Sequence, residues 1–240
     1  IFRYELPGSV LGVDRESLTV AVKKFEPLYS FSSNDTIFNT SSGYDEVLSL
    51  HNLSHINVVQ FFGRGSLNGE RYMILEYCPR TLSSVFDDYR SRNEHLNSME
   101  YLRWMLEIAN GLGFVHKEGH FHGDLKPPNV LISQYGAAKL ADFGLCTVPH
   151  SKGATLNSSR STARYMAPEQ HSSENLDLIG LQKCDVWSYG LILWEMLTCR
   201  QPLPNIPDHQ IPLVIGRNNE NSRPVLPDSG CESLINLLRR

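Results

Sequence analysis

An α+β architecture in two lobes is what this sequence predicts, on three observations. Strand-like segments fill the first third of the chain, and helix-like segments dominate after Pro79. With 240 residues, 41% hydrophobic and 20% charged, the composition is that of an ordinary globular chain, able to bury roughly 70–75% of its extended surface. Lys and Arg total 22 against 26 Asp and Glu, for a formal charge of −4, so no basic footprint for nucleic acid is present. No apolar stretch reaches the roughly 18 residues of a membrane span, and the first residues lack the charged-then-apolar pattern of a signal peptide. The five cysteines are scattered without a Cys-x-x-Cys pair, which fits a reducing, intracellular and cytoplasmic setting.

Taken in order, residues 19–25 alternate with β-branched side chains, placing Ala21 and Lys23 on one face of a strand and Val20 and Val22 on the other. Residues 30–43 are rich in Ser, Asn and Thr and read as a loop leading into a short helix over 44–53. Residues 56–62 and 71–77 predict two more strands, separated by a turn over 65–69. Asn97 and Glu100 have capping-box spacing, and Leu102, Leu106, Ala109 and Leu112 follow at helical intervals as the expected buried face. Asp185 is the expected cap of a further apolar helix over 186–198, followed by a Pro-rich loop over 202–212. There is no internal repeat.

Four short sequences carry chemistry: Val20-Ala21-Val22-Lys23, His122-Gly123-Asp124-Leu125-Lys126-Pro127-Pro128-Asn129, Asp142-Phe143-Gly144 and Ala167-Pro168-Glu169. Each alone is a weak signal. Together, in this order and spacing, they resemble the motif set of the eukaryotic protein kinases over nearly the whole chain. The motif Ser161-Thr162-Ala163-Arg164-Tyr165-Met166 resembles Ser/Thr rather than Tyr kinases, and the segment from Asp185 to Pro227 is similar to the tyrosine-kinase-like group of Ser/Thr kinases. The resemblance implies a bilobal kinase fold, with a small antiparallel β-sheet lobe carrying one helix and a mainly helical large lobe. It divides the chain into residues 1–75, a hinge at 76–78, and residues 79–240.

It also implies roles for particular residues. Phosphoryl transfer asks little covalent chemistry of a protein; it asks that phosphates be held, charge neutralised and a hydroxyl aimed. Lys23 would meet the α- and β-phosphates of ATP and pair with Glu46. Asp124 would accept the proton of a Ser or Thr hydroxyl on a protein substrate, beside Lys126 on the transferring phosphate, with Thr162 bonded to both. Asn129 and Asp142 would hold Mg2+, which hard oxygen ligands suit. Leu75 would be the gatekeeper, the backbone from Glu76 to Cys78 would meet the adenine, and Val10, Ala21 and Leu131 would enclose it. Leu50, His122, Phe143 and one of Phe61 and Phe62 would form a hydrophobic column. His116, His120 and His122 admit a zinc reading, but no Cys stands near them in the sequence.

The sequence departs from the family at several points. Aligning Gly8-Ser9-Val10 with the end of the glycine-rich phosphate loop puts Arg3 and Glu5 where glycines belong, so that Glu5 would add like charge near the triphosphate. Gly123 replaces the Arg that normally pairs with an activation-loop phosphate, which argues against loop phosphorylation as the main switch. Pro128 stands before Asn129 where arginine-directed kinases commonly place Glu. The alternative to an active enzyme is therefore a pseudokinase acting as an allosteric binding or scaffold module. Regulatory domains or a homodimer are further expectations for the full-length chain. By the same resemblance the chain stops short of the last helix, so Glu169 is expected to lack its usual Arg partner and the C-terminal end is expected to be loosened.

Overall fold

The computed structural model describes residues 1–7, 17–25, 53–143, 163–171, 176–215 and 223–225. The small lobe is an antiparallel sheet of β1 (Phe2–Pro7), β2 (Ser17–Phe25), β3 (Phe61–Leu67) and β4 (Glu70–Glu76), in the order β1-β2-β4-β3. The β3–β4 connection is tighter than the sequence predicts. Asn68 and Gly69 both take positive φ, 52° and 78°, so this Asn-Gly pair makes the whole turn and Leu67 pairs directly with Glu70. Residues 56–60, expected as strand, instead run to the large lobe, where Val58 bridges Leu140.

The large lobe contains β5 (Arg80–Thr81), α1 (Leu82–Arg92), α2 (Ser98–Lys117), β6 (Val130–Ile132), β7 (Ala138–Leu140), α3 (Leu178–Thr198) and the short α4 (Ile211–Ile215). The Thr81 hydroxyl and Ser84 form a capping box at the start of α1, and Asn93 ends the helix in the left-handed region. Asn97 caps α2 by accepting from the Met99 N–H. Glu100 does not complete the expected box; its carboxylate accepts from the Tyr89 hydroxyl at 3.1 Å.

The buried face of α2 also differs from expectation. It is Tyr101, Trp104, Ile108, Gly111, Leu112 and Val115, while Leu102 and Leu106 are 45% and 57% exposed. Two aromatic side chains cover more apolar area than two leucines, and Gly111 fixes the rotation of the helix. A Cβ there would lie 2.6 Å from the Asn57 carbonyl oxygen, so only glycine allows the interlobe segment to pass this close. Asn57 in turn accepts from the Leu140 N–H and donates its amide to the Ala138 carbonyl, while the Val59 N–H donates to Leu140.

Helix α3 starts earlier than predicted, capped by Asp177, whose carboxylate accepts from the Gly180 N–H. Asp185 is no cap: it lies within the helix and is 2% exposed. The main core runs through both lobes, joining Val58 and Met73 to Leu112, Leu140, Phe143 and Ile192. The anticipated helix over 44–53 lies, apart from the buried Leu53, outside the described residues, as does nearly all of the C-terminal stretch expected to be loosened.

Candidate active site

The cleft between the lobes is built from one strand above and two turns below. Strand β2 pairs with β4 so that Ala21 faces Leu75 and Lys23 faces Met73. The Lys23 Nζ reaches the Asp142 Oδ1 at 2.7 Å. Asp142 sits in the left-handed region, with φ 64°, a conformation tolerated by Asp and concentrated at functional sites. Burial works against its charge, but the Lys23 ammonium outweighs that effect, with help from His122 and Lys126, and holds the carboxyl below its usual range.

Below, Pro127 and Pro128 open a 3-10 turn that ends on Asn129, positions where a proline's missing N–H costs nothing. The Asn129 amide donates to the Asp124 carbonyl at 2.8 Å and to its Oδ2 at 2.9 Å. The Lys126 Nζ lies 2.8 Å from the same Oδ2. The Asp124 Oδ1 is buried and has no hydrogen-bond partner among the described residues. The Ala141 N–H donates to the Asn129 carbonyl, which ties the Asn129 turn to the residue preceding Asp142.

The turn carrying Asp124 hangs from Asp185. Its Oδ2 accepts from the His122 N–H at 2.7 Å and lies 2.9 Å from the His116 Nε2, and its Oδ1 accepts from the Gly123 N–H at 2.9 Å. Gly123 has φ 79°, so glycine takes this bend without the strain an L side chain would carry. His122 is fully buried, accepting from the Asp124 N–H at Nδ1 and bonding the Ala141 carbonyl through Nε2. Its ring packs 4.8 Å from that of Phe143, and Phe61 packs against the same core. His116 and His122 are thus engaged by protein groups. Asp185 is the site residue that sequence reasoning misplaced; its signal is a charged residue inside a long apolar helical run.

At the far wall the Glu76 N–H donates to the Gln60 carbonyl, and the Glu76 carboxylate pairs with Lys139 at 2.9 Å. Cys78 follows, half-buried; burial, reinforced by Glu76, pushes its thiol up to about 12, so it stays protonated near neutral pH. Leu131 lies on β6 opposite Thr81 and Lys139.

The β1–β2 register corrects the expectation for Glu5. Glu5 pairs with Thr19, and its carboxylate accepts from the Thr19 and Ser17 hydroxyls. Four residues of extended strand, about 13 Å, separate Thr19 from Lys23, so Glu5 lies away from the Lys23 end of the cleft. Gly8, Val10, Glu46, Leu50 and Thr162 lie outside the described residues. Glu169 is not without a partner, since the Cys184 thiol reaches its Oε1 at 3.7 Å.

Comparison with known proteins agrees with this geometry. The family model described as protein kinase domain matches residues 8–236. The chain is 32% identical over 234 residues to the mitogen-activated protein kinase kinase kinase dlk-1 of Caenorhabditis elegans, covering 97% of this chain and 23% of the relative. It is 33% identical over 218 residues to the probable serine/threonine-protein kinase SIS8 of Arabidopsis thaliana, covering 87% and 19%. A third relative, the probable serine/threonine-protein kinase drkA of Dictyostelium discoideum, is 32% identical over 221 residues, with 91% and 32% covered. The chain thus spans a third or less of the length of these relatives. With the strand carrying Lys23, the turn carrying Asp124 and the segment carrying Asp142 and Phe143 brought together between the lobes, and a family match over residues 8–236, this chain belongs to the protein kinase domain family.

Proposed function

We propose that this domain transfers the γ-phosphoryl group of ATP to Ser or Thr hydroxyls of protein substrates inside the cell. The observation that carries the reading is the Asp124 carboxylate. One oxygen is fixed by Lys126 and Asn129, while Oδ1 has no partner among the described residues and is left as the acceptor for a hydroxyl proton. Among the described residues no helix is long and apolar enough to cross a membrane.

The donor set of the cleft fits Mg2+. Asn129 uses its amide N–H on Asp124, leaving its oxygen as a ligand, and Asp142 supplies a carboxylate; Mg2+ is commonly bound by one or two such groups together with substrate phosphates. When bound, the ion neutralises phosphate charge. Lys23 takes the α- and β-phosphates, Lys126 the transferring group, and Asp124 orients the acceptor hydroxyl and receives its proton. Ala21, Leu75 and Leu131 enclose the adenine, whose edge meets the backbone from Glu76 to Cys78. Glu46 as partner of Lys23, and Thr162 beside Asp124, complete the reading. The second reading is a pseudokinase acting as an allosteric binding or scaffold module, favoured by the glycines missing from the expected phosphate loop.

The test is Mg·ATP binding together with turnover. The domain should show an Mg·ATP-dependent rise in melting temperature that Lys23→Met and Asp142→Asn abolish, and should incorporate phosphate into a generic Ser/Thr substrate. Binding without incorporation would return the domain to the scaffold reading.

A further inference from the structure

Arg164 is a buried arginine with no part in the cleft described above. It is 5% exposed, and each of its three guanidinium nitrogens donates a hydrogen bond. Nε and Nη2 meet the Asp208 Oδ1 at 2.8 and 2.6 Å, Nη1 donates to the Pro202 and Leu203 carbonyls at 2.9 and 2.7 Å, and Nη2 also donates to the Ile206 carbonyl at 2.6 Å. Leu203 is held in the left-handed region, φ 51°, a strained backbone that persists only where its surroundings enforce it. Around this fork Ala163, Ile211 and Ile215 form a second small core, with Leu203 and Ile206 packed against it.

The turn carrying Arg164, Ala163–Tyr165, is tied to the same helix as the turn carrying Asp124. Helix α3 holds both: Asp185 takes the His122 and Gly123 N–H groups, and Ser188, one helical turn on, donates to the Tyr165 carbonyl at 2.7 Å. The Tyr165 hydroxyl donates to the buried Glu195 carboxylate at 2.5 Å. The Arg164 fork clamps the opposite side of the same turn to the loop over 202–208.

We infer that Arg164 and Asp208 form a positioning staple that orders the 163–171 segment for the protein substrate. The Asp208 carboxylate, which takes one hydrogen bond and an ion pair on Oδ1, belongs to a side chain 49% exposed, so removing it loosens the fork without opening a cavity in the core. The inference rests on the kinase reading only for its kinetic consequence; its structural consequence stands apart from turnover.

The experiment compares wild type with Asp208→Ala and Asp208→Glu. In Asp208→Ala, amide hydrogen exchange over 163–171 and 202–215 should accelerate about tenfold or more, the loss expected for charged hydrogen bonds, and Asp208→Glu should restore protection. The KM for a peptide acceptor should rise about tenfold while that for ATP stays within about twofold. Unchanged exchange over 163–171, or an ATP KM that rises in step with the peptide KM, overturns the staple. If wild type transfers no phosphate, the proposed function fails, and the exchange comparison still decides the inference.

Discussion

The two lobes hold their site residues in different ways. Lys23 is placed by the register of a sheet whose described strands β1 and β3 have largely exposed or half-buried faces, and its Nζ meets Asp142 of the large lobe at 2.7 Å. Asp124 sits on a turn suspended from a fully enclosed carboxylate, braced by Asn129 and backed by the main core. The ion pair across the lobes is part exposed, the Asp142 side chain 47% accessible, and contributes little by itself. Freeing the Asp124 turn leaves buried donors and charge unmatched. The large lobe is therefore the fixed bench of the site.

This contrast can be broken most decisively at Asp124. Asp124→Asn keeps the size of the side chain and should cut phosphate incorporation by about 10²–10⁴-fold, with Mg·ATP binding retained; equal activity would remove Asp124 from the chemistry. Asp185→Ala should cost about 3–5 kcal/mol of stability, since buried N–H groups lose their acceptor, a loss measurable by urea unfolding. A cost below about 1 kcal/mol would show that the bench is held elsewhere. Gly111→Ala should destabilise by about 1–3 kcal/mol through overpacking on the Asn57 carbonyl, against the gain of up to about 1 kcal/mol from helix propensity. A stabilised variant would show that the interlobe segment yields. The smallest effect belongs to Leu102→Gln and Leu106→Gln, each within about 0.5 kcal/mol, because these side chains are solvent-facing despite their apolar spacing.

How much of the site was legible depended on the distance over which each signal acts. Lys23, Asp124, Lys126, Asn129 and Asp142 were named from short motifs, and the strand carrying Lys23 was visible in its alternation. The turn over 65–69 was narrowed to Asn68-Gly69 because those two residues supply the positive φ values a two-residue hairpin needs. The face of α2 was misread because spacing alone cannot rank Leu102 and Leu106 against Tyr101 and Trp104. Asp185 was misread as a cap because Asp before an apolar run is a local signal, whereas its hydrogen bonds reach His122 and Gly123, more than sixty residues away.

By itself the sequence determined the order of the lobes and the polar groups available for phosphoryl transfer, since these follow from motif identity and local periodicity. Only the tertiary structure decided where Glu5 lies, which face of α2 is buried, what Asp185 suspends and what Arg164 grips. Those outcomes turn on strand register, a 2.6 Å clearance at Gly111 and buried polar groups that must find partners far along the chain. Register and packing are properties of the folded assembly, and local propensity does not encode them.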